Sequence, residues 1–267
     1  MGSWVVTMLW YIGGYGRSGS TLLEYLLCAS PRVVACGEVA RALQMRIQKE
    51  ICTCGRLVKD CPIWGPFKSD PQRLDGWTHR DLTLALLGQL GSGNAILVDS
   101  SKTARGSTST PFALVRAASK DFRLVHLVRD PRAVCWSALK KAQGRSKFRV
   151  NRGLFCCMTV LSWWVANLSS ELFGRMYPEQ YIRVGYEDLA RSPREVVSRL
   201  LPDADCRFEA LEAPKNRHQL YGNRIRSRTL SLESVKEDAA WKTDMPTAIR
   251  RLAYILSWPL CLRYGYR

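Results

Sequence analysis

Short apolar runs that favour β-strands alternate along this chain with segments whose apolar residues recur at helical spacing. The strand-like runs cover residues 4–12, 31–35, 95–98, 122–128 and 181–184. Helix-favouring patterns cover residues 22–29, 39–49, 81–90, 133–139, 154–176, 193–201 and 252–262. Parallel strands need a crossover between them, which is usually a helix. The alternation therefore predicts an α/β fold with a central, mostly parallel β-sheet flanked by helices in three layers, α/β/α.

The length of 267 residues is sufficient for one domain with a sizeable core. We expect a single domain over residues 1–267, with a cysteine-rich insertion at about 51–77 that lies over one face of the sheet. Residues 144–152 and 214–228 are basic and lack apolar periodicity, which predicts loops. Ser192 precedes a helical segment and is expected to cap it.

A glycine-rich segment directly follows the first strand and leads into the first helix. Backbone N–H groups of such a turn converge at the helix N-terminus, where they form a cradle for a phosphate group. The segment nearly fits the P-loop pattern, with Gly14 and Gly19 at the glycine positions and Thr21 at the hydroxyl position. Ser20 stands in place of the lysine, and Arg17 supplies a positive charge three residues earlier. A loop without that lysine is poorly suited to γ-phosphoryl transfer, but it can hold a phosphate that does not react.

A second candidate anion site follows the strand over residues 122–128. Arg129 stands at the carboxyl end of this strand, and Pro131 suits the first turn of the helix that follows. Ser137 comes two helical turns later, so that its hydroxyl and the Arg129 guanidinium can converge on one anion. Two anion sites at the carboxyl ends of parallel strands indicate a ligand with two phosphate groups that lies across the crevice.

Three segments, in this order, resemble motifs of the sulfotransferases that use 3′-phosphoadenosine 5′-phosphosulfate (PAPS). Residues 16–21 resemble the 5′-phosphosulfate loop of that family, and residues 127–137 resemble its 3′-phosphate motif. Residues 185–189 match a later segment whose tyrosine, here Tyr186, lies near the adenine. The resemblance covers roughly residues 5–200 and is nearest to the bacterial carbohydrate-type and the tyrosylprotein sulfotransferases.

This resemblance implies a P-loop-like fold, PAPS as the donor, 3′-phosphoadenosine 5′-phosphate (PAP) as the product, and no catalytic metal. The donor contacts that it implies are Gly16, Arg17, Ser18, Gly19, Ser20, Thr21, Arg129, Ser137, Tyr186 and Arg226. Arg226 stands in residues 222–228, at the place where the family has a loop that closes over the nucleotide, and Arg224 is the alternative contact in this loop; the usual Arg-Lys-Gly sequence is absent. Asp130 is expected to orient Arg129 or to cap the following helix.

Sulfuryl transfer requires a base for the acceptor hydroxyl and cations near the oxygens on which negative charge builds up. Glu38 is the candidate base, because it follows a predicted strand and because residues 36–41 resemble the segment with the catalytic glutamate in tyrosylprotein and some carbohydrate sulfotransferases. The alternative is a glutamate favoured by the dipole at a helix start. Arg17 and Lys102 are the candidate cations by the same resemblance. His126, the rival base, lies inside an apolar strand and is expected to be a core residue.

We therefore expect a sulfotransferase that moves the sulfuryl group of PAPS to a hydroxyl of a glycan, lipid, peptide tyrosine or small metabolite, by in-line transfer with Glu38 as the base. Two alternatives stay open. One is a P-loop nucleotide kinase, against which Ser20 argues. The other is a non-enzymatic, basic nucleic-acid-binding protein, against which the intact set of Glu38, Arg17 and Lys102 argues.

The chain is strongly basic, with a net charge of +17. An anionic donor accounts for part of this charge, and the excess favours an acidic acceptor such as a glycan or anionic lipid, with peripheral membrane contact as a further interpretation. No homeodomain, zinc-finger or RNP-type pattern is present, so no nucleic-acid partner is expected. The N-terminal apolar run is too short to span a membrane, which predicts a cytoplasmic, bacterial protein; it would be membrane-anchored only if a further segment preceded this sequence.

The sequence contains ten cysteines. Cys52, Cys54 and Cys61 crowd a short loop-like segment, and Cys36 precedes them by 16 residues. Three or four thiolates could hold a structural zinc ion, although the spacing is not a standard C-x-x-C pair. Reduced structural thiols and a local disulfide are the alternatives, and a cytosolic location disfavours the disulfide.

Overall fold

The central sheet contains β1 (Met8–Gly13), β2 (Val33–Gly37), β3 (Ile96–Asp99), β4 (Phe122–Val128) and β5 (Tyr181–Gly185). The computed structural model describes residues 7–44, 50–70, 72–91, 93–104, 107–144, 151–202, 204–212, 216–221 and 231–267. Within this part of the chain the five strands are parallel, in the order β2-β3-β1-β4-β5. The carboxyl ends of β3 and β4 therefore lie on either side of the carboxyl end of β1.

Helices cover both faces of this sheet. They are α1 (Ser20–Leu27), α2 (Val39–Gln44), α3 (Gly65–Lys68), α4 (His79–Gln89), α5 (Thr110–Ala118), α6 (Pro131–Gln143), α7 (Arg152–Met176), α8 (Tyr186–Arg191), α9 (Pro193–Leu200), α10 (Trp241–Asp244) and α11 (Thr247–Tyr264). The parallel sheet between two helical layers confirms the α/β fold predicted from the alternation of strand and helix patterns.

The central strand contributes to a separate core on each face of the sheet. Trp10 and Ile12 pack with apolar residues of α1, α8 and α9, whereas Leu9 and Tyr11 pack on the opposite face with α4 and α5. Successive side chains of a strand point to opposite faces, so a fully apolar strand is expected wherever both faces are covered. The cysteine-rich segment packs on the second face through Cys52, Val58, Cys61, Trp64 and Phe67.

Some local features differ from the sequence prediction. Residues 110–118 form α5, which is not among the helices predicted from the sequence. Ser192 stands at the N-cap position of α9, but among the described contacts its side chain makes no capping hydrogen bond. α11 continues through Pro259, because Leu260 and Cys261 beyond it are buried in the packed core.

α7 is long and apolar enough, by length and composition, to cross a membrane. One side of this helix nevertheless packs against β1, β4, β5, α6 and α11 and buries Trp163 and Asn167. The opposite side carries a row of exposed apolar residues, Leu154, Met158, Leu161, Val165, Leu168, Leu172 and Met176. α7 is thus a core helix with an apolar outer face, and membrane contact stays a prediction.

Candidate active site

The loop between β1 and α1 requires glycine at its first bend. Gly14 has a φ of 98°, and a Cβ atom at this position would lie 2.3 Å from the Leu127 carbonyl oxygen. The Gly14 N–H group donates a hydrogen bond of 2.9 Å to Thr103 Oγ1. Only glycine combines this left-handed conformation with such a close approach to β4. The loop is therefore held between the ends of β3 and β4.

The same loop ends at Gly19, directly before α1. Gly19 has a φ of 93°, and a Cβ atom here would lie 2.5 Å from Cδ2 of Tyr186. The Gly19 carbonyl accepts hydrogen bonds from the N–H groups of Leu22 and Leu23 at 2.9 and 3.0 Å. The structure therefore brings the glycine loop into contact with the tyrosine of the third predicted motif.

A basic cluster lies on the β4 side of the loop. Arg17 Nε and Nη2 donate to Ser137 Oγ at 3.0 and 2.8 Å, and Arg129 Nη1 donates to the Arg17 carbonyl at 3.0 Å. The Arg129 guanidinium also lies over the Tyr186 ring, 4.1 Å from its centroid. Four residues predicted from two separate motifs and the loop are thus neighbours, and we call Arg17, Arg129, Ser137 and Tyr186 the arginine cluster.

Arg17 and Lys102 share a strained backbone conformation, with φ of 73° and 71°. Left-handed conformations are uncommon for residues other than glycine, and they concentrate at functional sites. The sequence interpretation groups these two cations with Glu38. In the structure they have different partners, because the loop directs Arg17 to Ser137 whereas Lys102 pairs with Glu38.

Asp238 belongs to this site although no sequence motif contains it. Its carboxylate and its carbonyl oxygen accept hydrogen bonds from Arg129 Nη2 at 3.1 and 3.0 Å. Its N–H group donates to the Tyr186 hydroxyl at 3.1 Å. Partial burial favours a raised pKa for Asp238, but the hydrogen bond and charge of Arg129 outweigh it and lower the pKa below its usual range. A carboxylate therefore contacts the arginine that is predicted to bind a phosphate group.

Two buried polar atoms of this region have no hydrogen-bond partner among the described residues. They are Ser18 Oγ in the glycine loop and Arg129 Nε at the end of β4. Buried polar atoms are rarely left unpaired in native proteins, because each such atom costs about 1–3 kcal/mol. Both atoms can donate to an anionic ligand, so the residues present fit a ligand with phosphate groups.

A carboxylate–ammonium pair lies on the β3 side of the loop. Lys102 Nζ is 2.5 Å from Glu38 Oε1, and Arg41 Nη1 is 3.6 Å from Glu38 Oε2. The Glu38 and Lys102 side chains are 16% and 13% exposed, so both are reachable by a ligand without being fully hydrated. The two predicted catalytic residues at the ends of β2 and β3 are thus in direct contact.

Asp99 is the centre of a buried network beneath this pair. Its Oδ1 accepts hydrogen bonds from the N–H groups of Ser101 at 2.9 Å and Val39 at 3.4 Å. Its Oδ2 lies 2.6 Å from His79 Nε2. Because Val39 and Ser101 are the immediate neighbours of Glu38 and Lys102, the network anchors the backbone from which the two paired side chains extend. His79 is not part of any of the sequence motifs, and residue spacing does not predict its contact with Asp99.

Glu24 in α1 forms hydrogen bonds with residues near the carboxylate–ammonium pair. Its Oε1 accepts a hydrogen bond of 2.6 Å from the Gly37 N–H, and its Oε2 accepts one of 2.9 Å from the Ser100 hydroxyl. Burial raises the pKa of Glu24 to about 7. Because Gly37 directly precedes Glu38, Glu24 positions the backbone of the candidate base. A single carboxylate in an otherwise apolar helix was the available sequence signal.

Replacement of Glu24 by glutamine is expected to flatten the pH dependence of stability. A glutamate with an unfolded-state pKa near 4.5 and a folded-state pKa near 7 binds more protons in the folded state between these values. The free energy of unfolding therefore falls as pH rises from about 4.5 to 7, by up to about 3 kcal/mol from this group. Urea unfolding at pH 5 and pH 8 should show a smaller difference for Glu24→Gln than for the wild type, while exposed Glu195→Gln should match the wild type.

The structure tests the sequence predictions for His126 and Asp130, whereas the prediction for Arg226 is not tested. His126 is fully buried, with Nδ1 2.7 Å from the Tyr181 hydroxyl and Nε2 2.8 Å from Asn167 Oδ1. Burial lowers the pKa of His126 to about 4. His126 is therefore a core residue, as predicted. Asp130 caps α6 by accepting a hydrogen bond of 2.8 Å from the Arg132 N–H. Arg226 lies outside the described residues, so its predicted nucleotide contact stays a prediction.

Several solved structures of proteins named as sulfotransferases share this fold. The sulfotransferase domain of an olefin synthase from Synechococcus PCC 7002 superposes with a TM-score of 0.60 at 19% identity, over 98% of this chain and 95% of that domain. The sulfotransferase domain from the curacin biosynthetic pathway gives 0.58 at 19% identity, over 99% of both chains. A sulfotransferase from Alicyclobacillus acidocaldarius gives 0.53 at 13% identity, over 97% of this chain and 96% of that one.

Sequence comparisons place the chain more specifically than these distant structural similarities. Comparison with curated protein sequences finds no significant match. A family model described as "Sulfotransferase family" matches residues 11–210, which include the glycine loop, the carboxylate–ammonium pair and the arginine cluster. Because the match extends over most of the chain, this protein belongs to the sulfotransferase family.

Proposed function

We propose that this sulfotransferase uses PAPS as its donor and transfers the sulfuryl group to an acceptor hydroxyl with Glu38 as the base. The observation that carries the proposal is the arrangement of charged groups around one glycine loop. The arginine cluster lies on the β4 side of the loop, and the carboxylate–ammonium pair lies on its β3 side. A donor with two phosphate groups and a reactive end has matching partners on both sides.

The arginine cluster is suited to hold a nucleotide phosphate. Arg129 presents an Nε that has no partner among the described residues, and Ser137 presents a hydroxyl beside the Arg17 guanidinium. The planar guanidinium binds phosphate oxygens in a fixed fork geometry, and its contact with Tyr186 keeps that plane oriented. We assign the 3′-phosphate to Arg129 and Ser137, and the 5′-phosphosulfate to residues 16–21 of the loop.

The carboxylate–ammonium pair is suited to the transfer step. The donor, when bound, supplies a sulfuryl group that is already activated by its link to phosphate. Glu38 would accept the proton of the acceptor hydroxyl, since its carboxylate is partly exposed and the network around Asp99 anchors the backbone beside it. Lys102 would stabilise negative charge that builds up on the oxygens of the transferred group. The strained backbone of Lys102 keeps the ammonium group close to Glu38.

The charge of the chain supports an anionic acceptor. A net charge of +17 exceeds what one nucleotide donor requires, which favours an anionic acceptor such as an acidic glycan or an anionic lipid with a free hydroxyl. Long-range attraction of this kind is screened by salt over about 8–10 Å at physiological ionic strength. An acidic acceptor should therefore show an apparent affinity that falls as salt rises.

Calorimetric titration with PAP tests the donor assignment. We expect binding of PAP in the absence of magnesium, and much weaker binding of adenosine 5′-phosphate, because only PAP has the 3′-phosphate that the arginine cluster would hold. Magnesium–ATP is the control for a nucleotide kinase. Preference for magnesium–ATP, or equal binding of PAP and adenosine 5′-phosphate, would contradict the proposal.

A further inference from the structure

Three cysteine sulfurs and one imidazole meet on the sheet face opposite α1. The groups are Cys52, Cys54, Cys61 and His218, and their ligand atoms all lie within 4.8 Å of one another. Cys61 Sγ is 3.6 Å from Cys52 Sγ, 3.8 Å from Cys54 Sγ and 3.2 Å from His218 Nδ1. Cys52, Cys61 and His218 are buried, and Cys54 is half-buried. All ten cysteines lie within the described residues and are free thiols.

The three separations from Cys61 are close to edges of a tetrahedron around a metal ion. Sulfur atoms at about 2.3 Å from a tetrahedral zinc are about 3.8 Å apart, and a sulfur and a nitrogen are about 3.6 Å apart. The two sulfur–sulfur separations at Cys61 agree with this edge to within about 0.2 Å, and its sulfur–nitrogen contact is about 0.4 Å shorter than the expected edge. A disulfide requires a sulfur separation of about 2.0 Å, so the present arrangement of the three thiols is not that of a bonded pair.

The surrounding backbone holds these ligand atoms in place. Gly55 has a φ of 85° and closes a turn in which its N–H group donates to the Cys52 carbonyl at 2.9 Å. The Cys61 sulfur accepts hydrogen bonds from the N–H groups of Ile63 and Trp64, and the Cys52 sulfur accepts one from the Cys54 N–H. These backbone contacts hold the two sulfurs in fixed positions beside the His218 ring.

His218 reaches the cluster because its backbone is attached to the edge of the sheet. Its N–H group donates to the Ala35 carbonyl of β2 at 2.7 Å, and its carbonyl accepts a hydrogen bond from Trp64 Nε1. Residues 216–221 therefore run beside β2, between the sheet and the cysteine-rich segment. Three thiolates and one imidazole are a ligand set typical of structural zinc sites.

We propose that Cys52, Cys54, Cys61 and His218 bind a structural zinc ion in a tetrahedral site. The ion would join the cysteine-rich segment to residues 216–221 across a sequence separation of 157 residues. It would also act at a distance on the candidate active site, because a Cβ atom on Gly37 would lie 2.9 Å from the Tyr221 carbonyl, and Gly37 precedes Glu38. This last consequence rests on the proposed function, whereas the zinc site itself does not.

Metal analysis of the intact, tag-free protein tests the site. Elemental analysis is expected to give about one zinc per chain, and X-ray absorption at the zinc edge is expected to give about three sulfurs near 2.3 Å and one nitrogen near 2.0 Å. Both measurements use the wild-type protein, so they do not depend on whether a variant folds. Their outcome is also independent of PAP binding, which separates failure of the zinc proposal from failure of the donor proposal.

Variants identify the ligands. Cys54→Ser should weaken zinc binding, measured by competition with a chromogenic chelator, by about 100-fold or more, because the binding free energy of a structural zinc is shared among four ligands. His218→Cys should retain the metal, since it keeps four suitable ligands. Cys206→Ser, at a half-buried cysteine outside the cluster, is the matched control and should retain full zinc content.

Three results would overturn the proposal. The first is wild-type protein without stoichiometric zinc after purification in zinc-containing buffer. The second is a mass two hydrogens lower than that of the reduced chain, with a peptide linking two of the three cysteines, which would identify a disulfide. The third is an absorption spectrum dominated by oxygen ligands, which would place any bound zinc elsewhere.

Discussion

Replacing Glu38 by glutamine is expected to reduce kcat by about 100- to 10,000-fold, the range typical of losing a general base. Glutamine has the same shape but cannot accept the proton of an acceptor hydroxyl. Its amide oxygen can still receive the hydrogen bond from Lys102, so the local fold should persist. Initial rates of acceptor sulfation with PAPS as the donor measure the effect on kcat. Calorimetry with PAP should show unchanged donor affinity.

Exposed Glu195→Gln provides the matched control for this substitution. It removes the same charge from α9, away from the carboxylate–ammonium pair, and should leave kcat and PAP affinity at wild-type values. Normal turnover in Glu38→Gln would rule out Glu38 as the base. A loss of PAP binding equal to the loss of kcat would instead assign Glu38 to donor binding.

Replacing Arg129 by lysine should weaken PAP binding by about 30-fold or more, which corresponds to about 2 kcal/mol or more for loss of a buried charged contact. Lysine keeps the positive charge but loses the planar fork and its contact with the Tyr186 ring. The affinity for adenosine 5′-phosphate should change little, because that ligand lacks the 3′-phosphate. Calorimetry with both nucleotides measures the difference.

Two other variants distinguish a specific phosphate contact from a general loss of charge. Exposed Arg116→Lys is the matched control and should bind PAP like the wild type. Asp238→Asn should act in the opposite direction to Arg129→Lys, because the Asp238 carboxylate occupies Arg129 Nη2 and would repel a phosphate. Equal weakening of both nucleotides by Arg129→Lys, or weaker PAP binding in Asp238→Asn, would contradict the 3′-phosphate assignment.

The sequence predicts local structure well where neighbouring residues carry the signal. The alternation of apolar strands and helices predicts the three-layer fold, and β4 has the predicted bounds, Phe122–Val128. Gly14 and Gly19 are recognisable because a tight turn before a helix requires residues that tolerate positive φ. Glu38 and Lys102 follow the ends of strands, where parallel sheets carry their functional groups, and their predicted roles come from the resemblance to known sulfotransferases.

The sequence does not predict contacts between residues that are far apart along the chain. Asp238 joins Arg129 across 109 residues, and His218 joins Cys61 across 157 residues. No spacing rule connects such pairs, since their approach depends on how the late segments return to the sheet. The direction of the Arg17 side chain is similar: the sequence identifies the charge, but the left-handed turn of the loop selects Ser137 as its partner.

The sequence by itself therefore determined the family, the α/β layers, the glycine loop and the candidate base and cations, because these depend on residues close together in the chain and on strand ends. Only the tertiary structure decided the partners of those residues. The burial that raises the pKa of Glu24 and the pairing of Arg129 with Asp238 depend on packing between separate elements. The fourth ligand of the cysteine cluster was decided by the same packing, because residues 216–221 reach the cluster only by pairing with the edge of the folded sheet.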